Sequence, residues 1–203
     1  MGAVVPLEAL FSAGRVWRGE PASAPALGAQ PTGHAVLDAV LPAGGWPDHA
    51  LSEILFRADG SGELALLFPT LARLTRSGQR VVLIAPPYLP HAPAWARAGL
   101  DLRQLQVVHA TAREALWATE QCLRSAACAA VLCWPRQVDD KALRRLQVAA
   151  GTGQCLGFVF RDARQADNPS PAAVRVLVEP GQVRVLKCRG SHPPARPLPV
   201  TLQ

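Results

Sequence analysis

The chain has 203 residues, 49% hydrophobic and 18% charged; that suits one α/β domain with a real core, or a domain with tails, and excludes a disordered chain. Every apolar run is broken within about 10 residues by Gly, Pro or charge, too short for a membrane span, and an acidic residue at Glu8 with no basic leader speaks against a signal peptide. The net charge of +6 is uneven: residues 1–135 hold ten Lys+Arg and ten Asp+Glu, residues 136–203 eleven and five, so the basic C-terminal third either meets DNA, RNA or an acidic partner or is a solvated face.

In chain order, Leu7–Trp17 is a short amphipathic candidate, and the Pro-, Ala- and Gly-rich stretch after it reads as a linker or draped arm. His34–Leu41 is compatible with a helical turn or two, and residues 42–50 form a loop by composition. LSEILF at 51–56 and VVLIA at 81–85 are strands. Between them a helix is expected over 62–77, with Leu64, Leu67, Phe68, Leu71 and Leu74 on one stripe. A loop at 86–93 leads to a short helix at 94–98, then a strand at 105–109. Thr111 opens a helix, with Glu114 at the capping-box position. AAVLCW at 129–134 is a buried strand. Asp139 or Asp140 caps a helix running to Ala150, and CLGFVF at 155–160 is a further buried strand. Continuously apolar strands alternating with helices predict a parallel sheet covered on both faces. Residues 174–190 read as an antiparallel hairpin turning at Glu179–Gln182, placed at the sheet edge. The last thirteen residues hold four prolines and are not expected to form regular structure. Five cysteines without a C-x-x-C and five scattered histidines point to a reducing cytoplasm and no metal site.

The segment FRADGSGELALLFPTLARL at 56–74 has the layout of a phosphate-binding loop between strand and helix. The pattern G-x-x-x-x-G-K-[ST] uses backbone amides to cradle phosphates, Lys to neutralise them and a hydroxyl to hold Mg²⁺. Laid on Arg57, Ala58, Asp59, Gly60, Ser61, Gly62, Glu63 and Leu64, only Gly62 keeps its place. Arg57 replaces the first Gly, Glu63 the Lys, and Leu64 the hydroxyl residue. A carboxylate facing a polyphosphate costs whole kcal/mol, so neither ATP binding nor hydrolysis is expected. The alternatives are a bare anion-binding turn or a turn without a ligand.

The order PTGHAVLDAVLPAGGWPDHALSEILFRADGSGELALLFPTLARL resembles the opening of a RecA core, with its T-G-x-x-x-L-D segment and Gly-Gly-x-Pro turn ahead of the strand and loop. Together with IAPPYLPHAPAWARAGLDL, SAACAAVLCWP and DDKALRRLQVAAGTGQCLGFVFR, it resembles the RecA/SulA-like family, and within it the ImuA proteins associated with damage-induced translesion DNA synthesis. The resemblance covers roughly residues 30–190. It implies a RecA-like P-loop core over 34–190, behind an arm at 1–33 and ahead of a Pro-rich tail at 191–203. Two further departures accompany the altered loop. The strand where a RecA core holds magnesium with Asp ends at Trp134, and the place of its catalytic Glu reads Pro86-Pro87.

The resemblance thus implies a non-catalytic accessory protein without cofactor in the cytoplasm. Its implied partners are an ImuB-like Y-family polymerase homologue, an error-prone DnaE-type polymerase and RecA. A SulA-like cell-division inhibitor binding FtsZ is the alternative, and an active ATPase a third. Lys141, Arg144 and Arg145 on the helix after Asp139 are candidates for a weak DNA contact or an acidic partner patch, against a plain solvated face. Arg161 and Arg164 fall where RecA contacts DNA, with Asp162 and Asp167 beside them. Trp46 and Trp95 are either partner hot spots or covers of the core edge. The Leu7–Trp17 segment and the tail are candidate docking peptides.

Overall fold

The computed structural model describes residues 28–202; the Leu7–Trp17 candidate lies outside them. The fold is mixed α/β, with a large, mostly parallel sheet flanked by helices. The strands are β1 (Ala29–Gln30), β2 (Trp46–Pro47), β3 (Leu51–Phe56), β4 (Val81–Ile84), β5 (Leu105–Val108), β6 (Ala130–Cys133), β7 (Leu156–Asp162), β8 (Val174–Glu179), β9 (Gln182–Cys188) and β10 (Leu198–Pro199). The helices are α1 (Ala35–Asp38), α2 (Phe68–Arg76), α3 (Ala92–Arg97), α4 (Ala112–Arg124) and α5 (Asp140–Thr152). The main sheet runs β10-β9-β8-β3-β7-β6-β4-β5. All pairs from β8 to β5 are parallel, and β9 and β10 add antiparallel to them. β1 and β2 pair separately.

The period-two geometry of a strand sorts its apolar residues onto two faces. Ile54, Leu83, Leu132, Phe158 and Phe160 pack on one side with Leu37, Leu71, Leu74 and Trp95 from α1, α2 and α3. Leu51, Val82, Ile84, Val131, Cys133 and Val159 pack on the other with Ala115, Leu123, Leu143 and Leu146 from α4 and α5. This double coverage is why the strands are apolar at successive positions. Gly157 leaves room on β7 for side chains of β3 and α4: a Cβ there would lie 2.8 Å from Leu51 Cδ1 and 3.3 Å from Leu123 Cδ2.

Local signals set several boundaries. Thr111 N–H donates to Glu114 Oε2 at 3.1 Å and completes the capping box of α4. Asp139 accepts from the Ala142 amide at 2.7 Å and caps α5. The β8–β9 hairpin turns at Glu179–Gln182 as expected.

Three expectations are corrected. The helix predicted over 62–77 begins only at Phe68. Pro69 has no N–H to give the Ala65 carbonyl, which is taken instead by Phe68 N–H at 3.2 Å, so the chain reaches α2 through successive turns. The loop at 42–50 contains β2, and the arm that precedes it contributes β1. The proline-rich tail also packs: β10 pairs with β9 through Leu198 and Val183, the Val200 amide reaches the Gly181 carbonyl at 3.0 Å, and the Val200 side chain is buried. Proline is compatible with this outermost strand because one side of its backbone needs no partner.

No helix among the described residues is long and apolar enough to cross a membrane.

Candidate functional site

In an open parallel sheet, ligands bind beyond the carboxyl ends of the strands. Here β3 runs into residues 57–67, β4 into Pro86–His91, and β6 into Trp134. These three stretches enclose a cavity of about 460 Å³. Its walls include Leu64, Leu83, Pro87, Trp95 and Trp134, and its charged lining is Asp59 and Glu63, with His91 beside them. At the end of β4 Ala85 adopts a left-handed conformation (φ 49°) directly before Pro86, a strained setting for a residue that precedes proline.

The loop after β3 is closed by its own side chains. Glu63 folds inward, 7% exposed, and its Oε1 accepts the Gly60 N–H at 3.0 Å. Its Oε2 is buried and has no hydrogen-bond partner among the described residues. Ser61 Oγ donates to the Ala58 carbonyl at 2.6 Å. Asp59 Oδ2 accepts from the Tyr88 hydroxyl at 3.1 Å, tying the loop after β3 to the loop after β4. That bond raises the Tyr88 phenol above its ordinary pKa, because ionisation would remove the donor beside a carboxylate. Gly62 is left-handed (φ 95°), and a Cβ there would lie 2.6 Å from Leu202 Cδ1. The tail therefore covers the one glycine that matches a phosphate loop. Arg57 is largely exposed and stands 4.0 Å from Glu179. An amide that could cradle an anion is already given to a carboxylate, and a leucine occupies the place of the metal-holding hydroxyl. Trp134 continues the apolar lining, stacked on Phe160 with ring centroids 4.3 Å apart.

The basic candidates do not assemble into one patch. Arg144 pairs with Asp140 at 2.8 Å, and Arg145 with Glu120, which also takes Arg124. Lys141 is exposed on the same helix. Arg164 chelates Asp162 through two side-chain bonds, which hold the carboxyl down at about 2. Arg161, predicted at a DNA-contacting position, is turned inward: its Nη1 donates to Glu53 Oε2 at 3.2 Å in a buried pair. Arg175 Nε meets the same oxygen at 3.1 Å and donates to the Gln165, Ala166 and Asn168 carbonyls. Ser170 Oγ donates to Glu53 Oε1. This network joins β3, β7 and β8 to the segment after β7. Its sequence signal was an acid inside the apolar run LSEILF, but the arginine partners lie 108 and 122 residues away.

Trp46 and Trp95 are buried in the core and do not serve as exposed anchors. The exposed large apolar groups near the cavity are Tyr88, 68% exposed, and Leu89, 77% exposed. The sequence reading passed over both because the Pro-rich run hid them in an expected loop. Among the described residues, no group of three or more His, Cys, Asp or Glu could hold a metal ion.

The family profile described as "Cell division inhibitor SulA" matches residues 49–157, more than half of the chain. The chain belongs to the SulA family. The matched stretch runs from the start of β3 into β7, so it contains the loop of Arg57–Leu64, the lining of the cavity and the helix of Lys141, Arg144 and Arg145. It stops short of Arg161, Arg164 and the hairpin. Among solved structures, SulA from Pseudomonas aeruginosa is 28% identical, covers 55% of this chain and 98% of its own, and superposes with a TM-score of 0.46. No curated protein matches the chain significantly.

Proposed function

We propose that this protein is a non-catalytic accessory factor of the damage-induced (SOS) response, acting by protein–protein binding in error-prone translesion DNA synthesis, as the ImuA resemblance implies. Its core is then a RecA-like P-loop core whose loop has lost its chemistry. Its partners are an ImuB-like Y-family polymerase homologue, an error-prone DnaE-type polymerase and RecA, in the cytoplasm and without a nucleotide cofactor. One observation carries the reading: Glu63 stands inside the loop and takes the Gly60 amide for itself. A group that repels polyphosphate and fills its donor leaves nothing to polarise a γ-phosphate or a water. The exposed Tyr88 beside the cavity favours a docking role, since tyrosine is enriched among the anchors that dominate protein interfaces, and Leu89 extends its apolar surface.

A second reading is favoured by the family match: a division inhibitor of the SulA type, binding FtsZ. Immobilised protein challenged separately with the ImuB-like protein and with FtsZ decides between them. Retention of the polymerase homologue, with FtsZ passing through, is the result expected. Retention of FtsZ alone would replace the first reading by the second.

A further inference from the structure

We propose that the cavity at the carboxyl ends of β3, β4 and β6 receives an arginine side chain from a partner protein. The protein carries +6 overall, yet this cavity is lined by two carboxylates, Asp59 and Glu63, within otherwise apolar and aromatic walls. Glu63 is more than nine-tenths buried, and its Oε2 has no partner among the described residues. A buried acceptor left unpaired is costly, and a turn of the Glu63 carboxylate towards the cavity would bring it to a donor that carries positive charge. Phosphate groups are excluded by the same carboxylates, and a purely apolar guest would leave Oε2 unpaired. Guanidinium suits the walls better than ammonium, because it is weakly hydrated and stacks on aromatic groups; Trp95, Trp134 and Tyr88 are among the lining residues. The volume of about 460 Å³ lies within the roughly 300–1,000 Å³ of sites that enclose small organic groups. Tyr88 and Leu89 stand exposed among the lining residues and would pack against residues flanking the arginine, giving a desolvated centre with an apolar border. The source of the arginine rests on the accessory-factor reading; the cavity's preference for guanidinium does not.

The test titrates the ¹⁵N-labelled full chain with n-butylguanidinium and, in parallel, with its neutral isostere n-butylurea. Butylguanidinium is expected to shift the Gly60, Glu63, Leu64 and Leu89 amides and the Trp134 indole saturably. Butylurea is expected to bind at least about tenfold more weakly, and Glu63→Gln to weaken butylguanidinium by a similar factor. Where Glu63→Gln disturbs the fold, the comparison of the two probes on the unaltered chain still decides. Equal binding of the two probes, shifts confined to other surfaces, or no saturable shift overturns the inference. Should a partner protein be retained equally by the wild type and by Glu63→Gln while the probes bind equally, the cavity inference fails and the accessory role stands. Should no partner be retained, the accessory role fails, and the guanidinium titration alone judges the cavity.

Discussion

At the residue scale, Glu63 holds the Gly60 amide, so replacing it by lysine removes an acceptor and buries a cation among apolar walls. Glu63→Lys is expected to restore no ATP hydrolysis, because Leu64 and Trp134 still leave a metal unheld, and to lose about 1–3 kcal/mol in urea unfolding. Measurable turnover in that variant would show that the loop is misread. Glu53 is more deeply committed, accepting from Arg161, Arg175 and Ser170. Glu53→Ala strands two buried guanidinium groups and is expected to cost about 3–5 kcal/mol by the same measurement. Asp162 carries the pH signature. Its folded pKa of about 2 lies below the ordinary value, held there first by the Arg164 side-chain bonds. Its contribution is therefore complete above the unfolded pKa of about 3.9 and lost as pH falls through the folded value. Carboxyl NMR of Arg164→Ala should show the Asp162 midpoint moving up towards the ordinary range; an unmoved midpoint would mean that the pair is not formed. Inward-pointing Arg161 shows the limit of reading such residues from sequence. A basic residue after an apolar strand looks solvent-facing until the acid that recruits it, 108 residues away, is placed on the adjacent strand.

At the scale of elements, local chemistry was legible and long-range chemistry was not. The capping box at Thr111 and Glu114 and the cap at Asp139 lie within single turns, so residue identity alone located both helices. Thr111→Ala is expected to cost about 1 kcal/mol, read from the shift in urea midpoint. The central strands were legible because a sheet covered on both faces needs unbroken apolar runs. The start of α2 was misplaced because its periodic stripe continues through the turns before Phe68, while Pro69 ends the hydrogen-bond ladder there. β10 was missed for a different reason. Its pairing exists only because β9 offers an open edge to Leu198 and Pro199, and a proline-rich stretch has no period to announce it. Val200 is the tail's buried anchor, and Val200→Asp is expected to cost at least about 2 kcal/mol. An unchanged unfolding curve would mean that the tail does not hold β9.

For the whole molecule, the basic excess of the C-terminal third overstates its free positive charge, because five of its eleven basic side chains are committed to carboxylates. Arg144, Arg145 and Arg164 are paired with carboxylates, and Arg161 and Arg175 are buried with Glu53. Under the accessory-factor proposal, partners are recognised by shape and by particular sites more than by a general field. Its SulA-family core places the loops after β3, β4 and β6 together, and the residues they bring there are carboxylate, proline and aromatic groups in place of the cations and hydroxyls that manage phosphate. The most direct measurement is equilibrium binding of radiolabelled ATP to the full chain with magnesium, followed by release of phosphate over hours. No saturable binding and no phosphate above the buffer rate are predicted; saturable, magnesium-dependent ATP binding competed by unlabelled ATP, or steady release of phosphate, would contradict the reading of an emptied nucleotide loop.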